Sequence, residues 1–361
     1  MTAGDKSTQI VNEGGGTFNI GTPITITEIR TIALDVAKSV FVDSIMFARE
    51  LIDARTENIT DEVIRKITEK DPNLYHRFKD PRFLSSLLSI QRSFAETGDE
   101  ELGGILSGLL ADLAAEPIRS RREIVLRQAM ECAPRLTTKH LNALSVLLRI
   151  ERIRYPFDRT VAIFISSLAG DLAPYFNAIP DDSFDYEYMG STEAGTYLRM
   201  TSSNIFERVY YVNRNALYDP FTIEQYLDYL EKRALDINEL KTCLNDVSRL
   251  LKIVPDDPQK RIKLDWADGE RILSYGSEGT HTITLGEQYL QEFLLSISVS
   301  ISKFEGAIRE QQPELGEFLD TLQSSHAFNF QLSPVGIMLA RHEIESRSPE
   351  TAAQLDSLFD D

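Results

Sequence analysis

A chain of 361 residues, 42% hydrophobic and 26% charged, has the composition of an ordinary globular protein with material for one large or two modest cores. Its formal charge of −18 at pH 7 opposes long-range attraction to nucleic acid or anionic lipid. The longest uncharged apolar-rich run, Phe293–Ser302, has only about half the length of a bilayer-spanning helix, and "MTAGDKSTQIV" has neither the basic nor the apolar region of a secretory signal. Cys132 and Cys243 lack any CxxC spacing and are expected to be buried thiols of a cytoplasmic protein.

The first 27 residues form a distinct unit. Thr17–Thr27 alternates, with Phe18, Ile20, Thr22, Ile24 and Ile26 on one side, which is the signature of a strand. "STQIV" supplies a second short strand, and Gly14–Gly15–Gly16 lets the chain reverse between the two. Pro23 marks an edge or the end of pairing. A lone two-stranded hairpin is marginal in water, so this unit docks on its own body, stays mobile, or pairs with another copy. Backbone N–H groups of the glycine run could cradle an anion, but no helix starts there and no P-loop residues follow.

From residue 28 the period becomes helical. A long amphipathic helix is expected over 28–54, followed by helices near 60–69, 81–97, 99–115, 119–133, 137–154 and 158–178. Asp99 and either Thr137 or Thr138 are placed as N-caps, and Pro117, Pro134 and Pro156 as boundaries. The acidic stretch 179–197 reads as a loop. Helices resume at 200–213, 222–234 and 236–253, with Thr222/Gln225 and Asp236/Glu239 as capping boxes. Residues 254–285 suggest short strands at "RIKLDW", "RILSYG" and "HTITLG". Helices over 286–310, 314–325 and 333–347 complete the chain. The fold expected is mainly α: an antiparallel helical array with an N-terminal Gly-rich β-arm and a small β insertion near 254–285. Its expected divisions are 1–27 (arm), 28–253 (helical domain) and 254–361 (mixed segment).

Charge is unevenly distributed. Residues 119–159 hold ten Lys or Arg against four acids, so this segment is about +6 and the remainder about −24. Arg119, Arg121, Arg122, Arg127, Arg149, Arg152 and Arg154 form the candidate basic patch. Solvated helix faces and internal ion pairs explain such a segment; an acidic partner surface, a second copy or a nucleic acid are the sharper alternatives. Tyr155 and Phe157 could stack on bases, but the interleaved apolar residues assign these helices to a core.

Chemistry is nearly silent. There is no P-loop, dinucleotide-binding glycine pattern, HExxH or GxSxG. His76, His140, His281, His326 and His342 show no metal-pair spacing, and His342–Glu343 reads as a surface pair. Two acidic clusters, Asp181/Asp182/Asp185/Glu187 and Asp265/Asp268/Glu270, gather hard oxygen ligands without EF-hand spacing. Glu239–Leu240–Lys241 has the residue types of a nuclease site but lies in a helical pattern. Neither a catalytic centre nor a cofactor is expected.

Five segments, "QIVNEGGGTFNIG", "TIALDVAKSVF", "LGGILSGLLADL", "APRLTTKHLNALSVLLRI" and "LSPVGIMLARHEI", give the chain a resemblance to an uncharacterised bacterial family of phage-defence and mobile-element neighbourhoods. The resemblance covers most of the chain, rests on structural rather than catalytic segments, and implies a cytoplasmic bacterial protein with a part in antiviral defence. It carries over no active site.

The resulting expectation is a non-enzymatic interaction protein, a sensor or effector that self-assembles through its arm. Val11, Asn12, Gly14, Gly15, Gly16, Phe18, Asn19, Ile20 and Gly21 would form the contact, with an acidic protein or a phage component as a further partner. The rival readings are a metal-dependent nuclease or hydrolase using the acidic loops, and a membrane-active effector using helix 28–54, whose balanced charges argue against anionic lipid.

Overall fold

The computed structural model describes residues 8–11, 17–20, 26–117, 119–153, 155, 160–199, 204–214, 217–233, 235–254, 257–264 and 284–356, with side chains from residue 48 onward apart from Gln354. The chain folds as a mainly α helical array with short antiparallel strand pairs. Strand β1 (Thr8–Val11) pairs with β2 (Thr17–Ile20), Gln9 opposite Asn19 and Ile10 opposite Phe18.

Helix α1 runs from Ile26 to Lys70 without interruption, where two helices were expected. The intervening "ARTENIT" contains no glycine or proline, and the Thr60 hydroxyl donates to the Thr56 carbonyl at 2.6 Å, so the polar stretch needs no break. Ile59, Val63 and Ile67, at helical spacing, bury one stripe of α1. After a 3₁₀ turn (Pro72–Lys79), α2 (Pro81–Thr97) returns antiparallel to α1, with Gln91 donating to Thr60 and Arg55 to the Ala95 carbonyl. Gly98 ends α2 in the left-handed region (φ 64°), and a side chain there would strike the Arg55 guanidinium.

Helix α3 (Glu100–Ala115) starts on Asp99 as expected and is buried on almost every side. Helices α4 (Arg121–Cys132), α5 (Thr138–Arg152) and α6 (Val161–Leu172) follow, and Thr137 rather than Thr138 caps α5. The expected helix 158–178 stops at Leu172, because Pro174 supplies no N–H and the chain tightens into a 3₁₀ turn over Ala173–Tyr175. The stretch expected to be a loop over 179–197 contains helix α7 (Ser183–Met189), capped by Asp182, and strand β3 (Gly195–Tyr197). Helix α8 (Ile205–Val212) follows.

Helices α9 (Ile223–Glu231) and α10 (Ile237–Val247) carry both expected capping boxes. Residues 251–253, expected to continue α10, instead form β4 (Leu251–Ile253), which pairs with β5 (Ile262–Leu264). The "RILSYG" strand lies outside the described residues. At "HTITLG", Thr284 caps α11 (Leu285–Ile297) and the last two residues open that helix. The expected helix 286–310 divides at residues 298–300: the Val299 N–H leaves the ladder for the Leu217 carbonyl and Ser300 caps α12 (Ile301–Gln311), which starts a new helix there. Helix α13 (Pro313–Ser324), strand β6 (Phe330–Leu332), helix α14 (Pro334–Arg347) and helix α15 (Pro349–Leu355) follow. Strand β6 pairs with β3, Thr196 opposite Gln331.

Two apolar cores result. The larger draws on α1–α8 and α12–α15. The smaller gathers Tyr218, Phe221, Tyr226, Leu230, Cys243, Val247, Leu250, Leu264, Leu290, Phe293 and Leu294 from α9, α10, β5, α11 and their connections. No helix among the described residues is long and apolar enough to cross a membrane.

Candidate functional site

Helix α14 lies at the centre of the larger core, packed against α3, α4, α5 and α15. Its sequence "PVGIMLARHEIESR" is buried from Val335 to Ile344 except Ile337, which is partly buried, so Arg341, His342 and Glu343 are enclosed along with the aliphatic residues. His342–Glu343 is therefore not the surface pair expected from sequence: both residues are buried. Enclosed polar groups must find partners or carry a desolvation cost, and two networks supply most of those partners.

The first network centres on Asp112, an acid within the apolar run of α3. Its carboxylate accepts from Lys70 Nζ at 2.5 Å and lies 3.5 Å from Arg122 Nη2, 3.5 Å from His342 Nε2 and 3.8 Å from Arg341 Nη1. Burial pushes this carboxyl up, but His342, Lys70 and Arg341 together outweigh that and hold it at about 2. On the far side of the ring, His342 Nδ1 lies 3.2 Å from Glu345 Oε2, and Arg341 reaches Glu345 at 2.7 Å and Asp356 at 2.8 Å. Burial raises Glu345 as well, and His342 and Arg341 bring it below the usual carboxylate range.

The second network lies on the other flank of α14. Glu343 accepts from the Tyr175 hydroxyl at 2.8 Å and from Arg347 Nε at 2.5 Å, while Arg149 and Arg347 lie over the Tyr175 ring at 5.8 and 5.4 Å. Burial, then the Glu343 charge, push the Tyr175 phenol well above its ordinary value.

Beside the first network opens a cleft of about 950 Å³, walled by α1, α3, α5 and α14. Lys66 from α1 enters it and donates to the Gly104 carbonyl at 2.6 Å, and burial pushes its ammonium pKa down. Glu100 and Glu101 in the first turn of α3 are exposed and also line this cleft. Three of the segments that carried the family resemblance, in α3, α5 and α14, thus come together around one cavity.

Residues singled out by sequence are placed elsewhere. Val11, Phe18, Asn19 and Ile20 lie in the β1–β2 ladder; Asn12, Gly14, Gly15, Gly16 and Gly21 lie outside the described residues. Arg119, Arg121 and Arg152 are exposed; Arg122 and Arg127 enter ion pairs with Asp112 and Glu123; Arg149 is buried; Arg154 lies outside the described residues. Of the first acidic cluster, Asp182 caps α7, Asp185 lies 3.2 Å from His140 Nε2, and Glu187 pairs with Arg199 at 2.9 Å. Asp265, Asp268, Glu270 and His281 lie outside the described residues. Among the described residues no group of three or more His, Cys, Asp or Glu could hold a metal ion. Cys132 and Cys243 are buried free thiols, and burial pushes both pKa values up, away from nucleophilic chemistry.

The residues that sequence reasoning missed are Lys66, Lys70, Asp112, Arg341 and Glu345, and it misplaced Glu343 on the surface. They come from three distant helices with no common spacing. The available signal was an acid in "GLLADLAA" and a charged triplet in "GIMLARHEI", each too deep in an apolar run to face solvent.

No curated protein and no solved structure matches the chain. The model of an uncharacterised protein family matches residues 23–356, nearly the whole sequence, and the chain belongs to that family.

Proposed function

We propose that the protein is a non-enzymatic interaction protein whose copies associate through the N-terminal arm and the first half of α1. The observation that carries this reading is the overrun of α1 beyond its partner helix. Helix α2 ends at Gly98 beside Arg55, and every residue from 48 to 54 is exposed, including Leu51 (40%) and Ile52 (47%). Yet the sequence continues the stripe of Ile59, Val63 and Ile67 back through Ile52, Ala48, Ile45 and Phe41 at helical spacing. Residues 26–54 correspond to roughly 43 Å of helix, a length over which a second α1 can pack.

Val11, Asn12, Gly14, Gly15, Gly16, Phe18, Asn19, Ile20 and Gly21 are the proposed strand contact, since a two-stranded ladder gains most by adding strands from a second copy. The exposed Arg119, Arg121 and Arg152 would face the acidic remainder of a neighbour. A role in antiphage defence enters on the family resemblance alone.

Light scattering after size exclusion tests the association. The full chain is expected to be oligomeric. The chain lacking residues 1–47 is expected to be monomeric, and Phe18→Asp with Ile20→Asp to be shifted towards monomer. The same number of chains per particle in all three refutes it.

A further inference from the structure

The two apolar cores divide the chain at two points that lie side by side. Leu217 is buried in the larger core, and its neighbour Tyr218 in the smaller one. The return is as abrupt: Ile297 packs against the smaller core and Val299 against the larger. The Val299 N–H donates to the Leu217 carbonyl at 3.0 Å, so the chain leaves the helical body and re-enters it through adjacent backbone. A segment whose ends meet in this way can be inserted into a host fold without displacing the elements on either side.

Residues 218–297 find their partners within the segment. Phe221 and Ile262 exchange both backbone hydrogen bonds, at 3.1 and 2.6 Å, and the Leu264 N–H donates to the Tyr218 hydroxyl at 3.2 Å. The start of the segment is thus sewn to its own β5. Phe293 of α11 meets the rings of Phe221, Tyr226 and Tyr229 at 5.0, 5.2 and 5.3 Å. The ion pairs Arg233–Glu292, Arg249–Glu287 and Arg261–Asp257 also close inside it. Among the described residues, no helix or strand of the segment packs broadly on one of the helical body. A tie across the boundary stands at the crossing itself, where the Asp219 carboxylate accepts the Val161 N–H at 3.3 Å. A unit with its own core and so narrow an attachment has its own opening equilibrium, because unfolding it removes few contacts from the rest of the chain.

We propose that residues 218–297 are an inserted module that opens as one unit about the paired crossings at Leu217 and Val299 while the helical body stays closed. Its core is the smaller, so it is the part that opens first. Opening leaves α1 and the Asp112 network in place, and it is independent of the association of copies.

The protein carries its own reporters. Each unit holds one of the two cysteines, Cys132 in the body and Cys243 in the module, both free and fully buried. Alkylation of the native full chain by iodoacetamide, followed for each thiol by mass spectrometry, reads the two openings separately when reclosing outpaces labelling. Cys243 is expected to label faster than Cys132. Phe293→Ala is expected to accelerate Cys243 about a hundredfold or more and to leave Cys132 at its wild-type rate. Phe293→Leu, a milder change, is expected to act in the same direction by less. Leu339→Ala in α14 is expected to accelerate Cys132 and not Cys243. Equal rates for the two thiols in wild type, or equal acceleration of both by either Ala variant, overturns the proposal.

Discussion

Replacing Asp112 by Asn keeps the shape of the side chain and removes the charge around which Lys70, Arg122, Arg341 and His342 are arranged. The Asp112 carboxyl is held at about 2 against an ordinary 3.8, and the side chain is only 8% exposed, so solvent screens this difference little. A shift of that size is worth about 2.5 kcal/mol at 1.36 kcal/mol per unit. Because the folded-state value lies below the unfolded one, the contribution is fully present above pH 4 and is lost as pH falls from about 4 towards 2. Asp112→Asn is therefore expected to destabilise the protein by about 2–3 kcal/mol at pH 7, or roughly 3–4 °C in Tm for a chain of this length. The gap between variant and wild type should close as the pH approaches 2. Urea unfolding of both proteins at pH 7, 4 and 3 measures it. A variant as stable as wild type at pH 7, or a gap that does not shrink on acidification, refutes the account of Asp112 as the hub of the network.

Tyr175→Phe deletes the hydroxyl that donates to buried Glu343, which keeps its bond from Arg347, and is expected to cost about 1–3 kcal/mol in urea unfolding. In an alkaline absorbance titration of wild type, Tyr175 should be among several buried tyrosines, with Tyr186, Tyr218 and Tyr226, that stay un-ionised until the protein unfolds, and this variant should show one fewer, because burial and Glu343 push the Tyr175 phenol up. Gly336→Ala places a Cβ against the Ala194 carbonyl where α14 approaches the end of β3, and should lower Tm by several degrees, whereas Gly104→Ala should leave Tm unchanged or raise it. Equal effects at the two glycines would contradict the packing of α14 on β3.

Local features were legible in the sequence. The Asp99 cap and the Thr222/Gln225 and Asp236/Glu239 boxes stand where side-chain spacing puts them, because each depends on residues three apart. Continuity was harder to read. Nothing in "ARTENIT" distinguishes a helix that ends from one that runs on, and the decision falls to Arg55 and Thr60 gripping α2. The end of α10 at Val247 was equally hidden, since Leu251–Ile253 becomes a strand only by finding Ile262–Leu264. The cleft was least legible of all. Lys66, Asp112 and His342 have no fixed separation, and only tertiary packing sets them around one cavity.

The central position of α14 has a consequence for how the chain is made. Its neighbours α3, α4 and α5 leave the ribosome first, while α14 follows α5 by some 180 residues. At ordinary translation speeds that interval is roughly ten to forty seconds. Throughout it the face of α5 around Ser145, whose hydroxyl donates to the Ala340 carbonyl of α14, must wait for the surface that will cover it. The nascent chain thus spends much of its synthesis as an open helical cup, a natural client for chaperones, and closure by α14 is a late, long-range step.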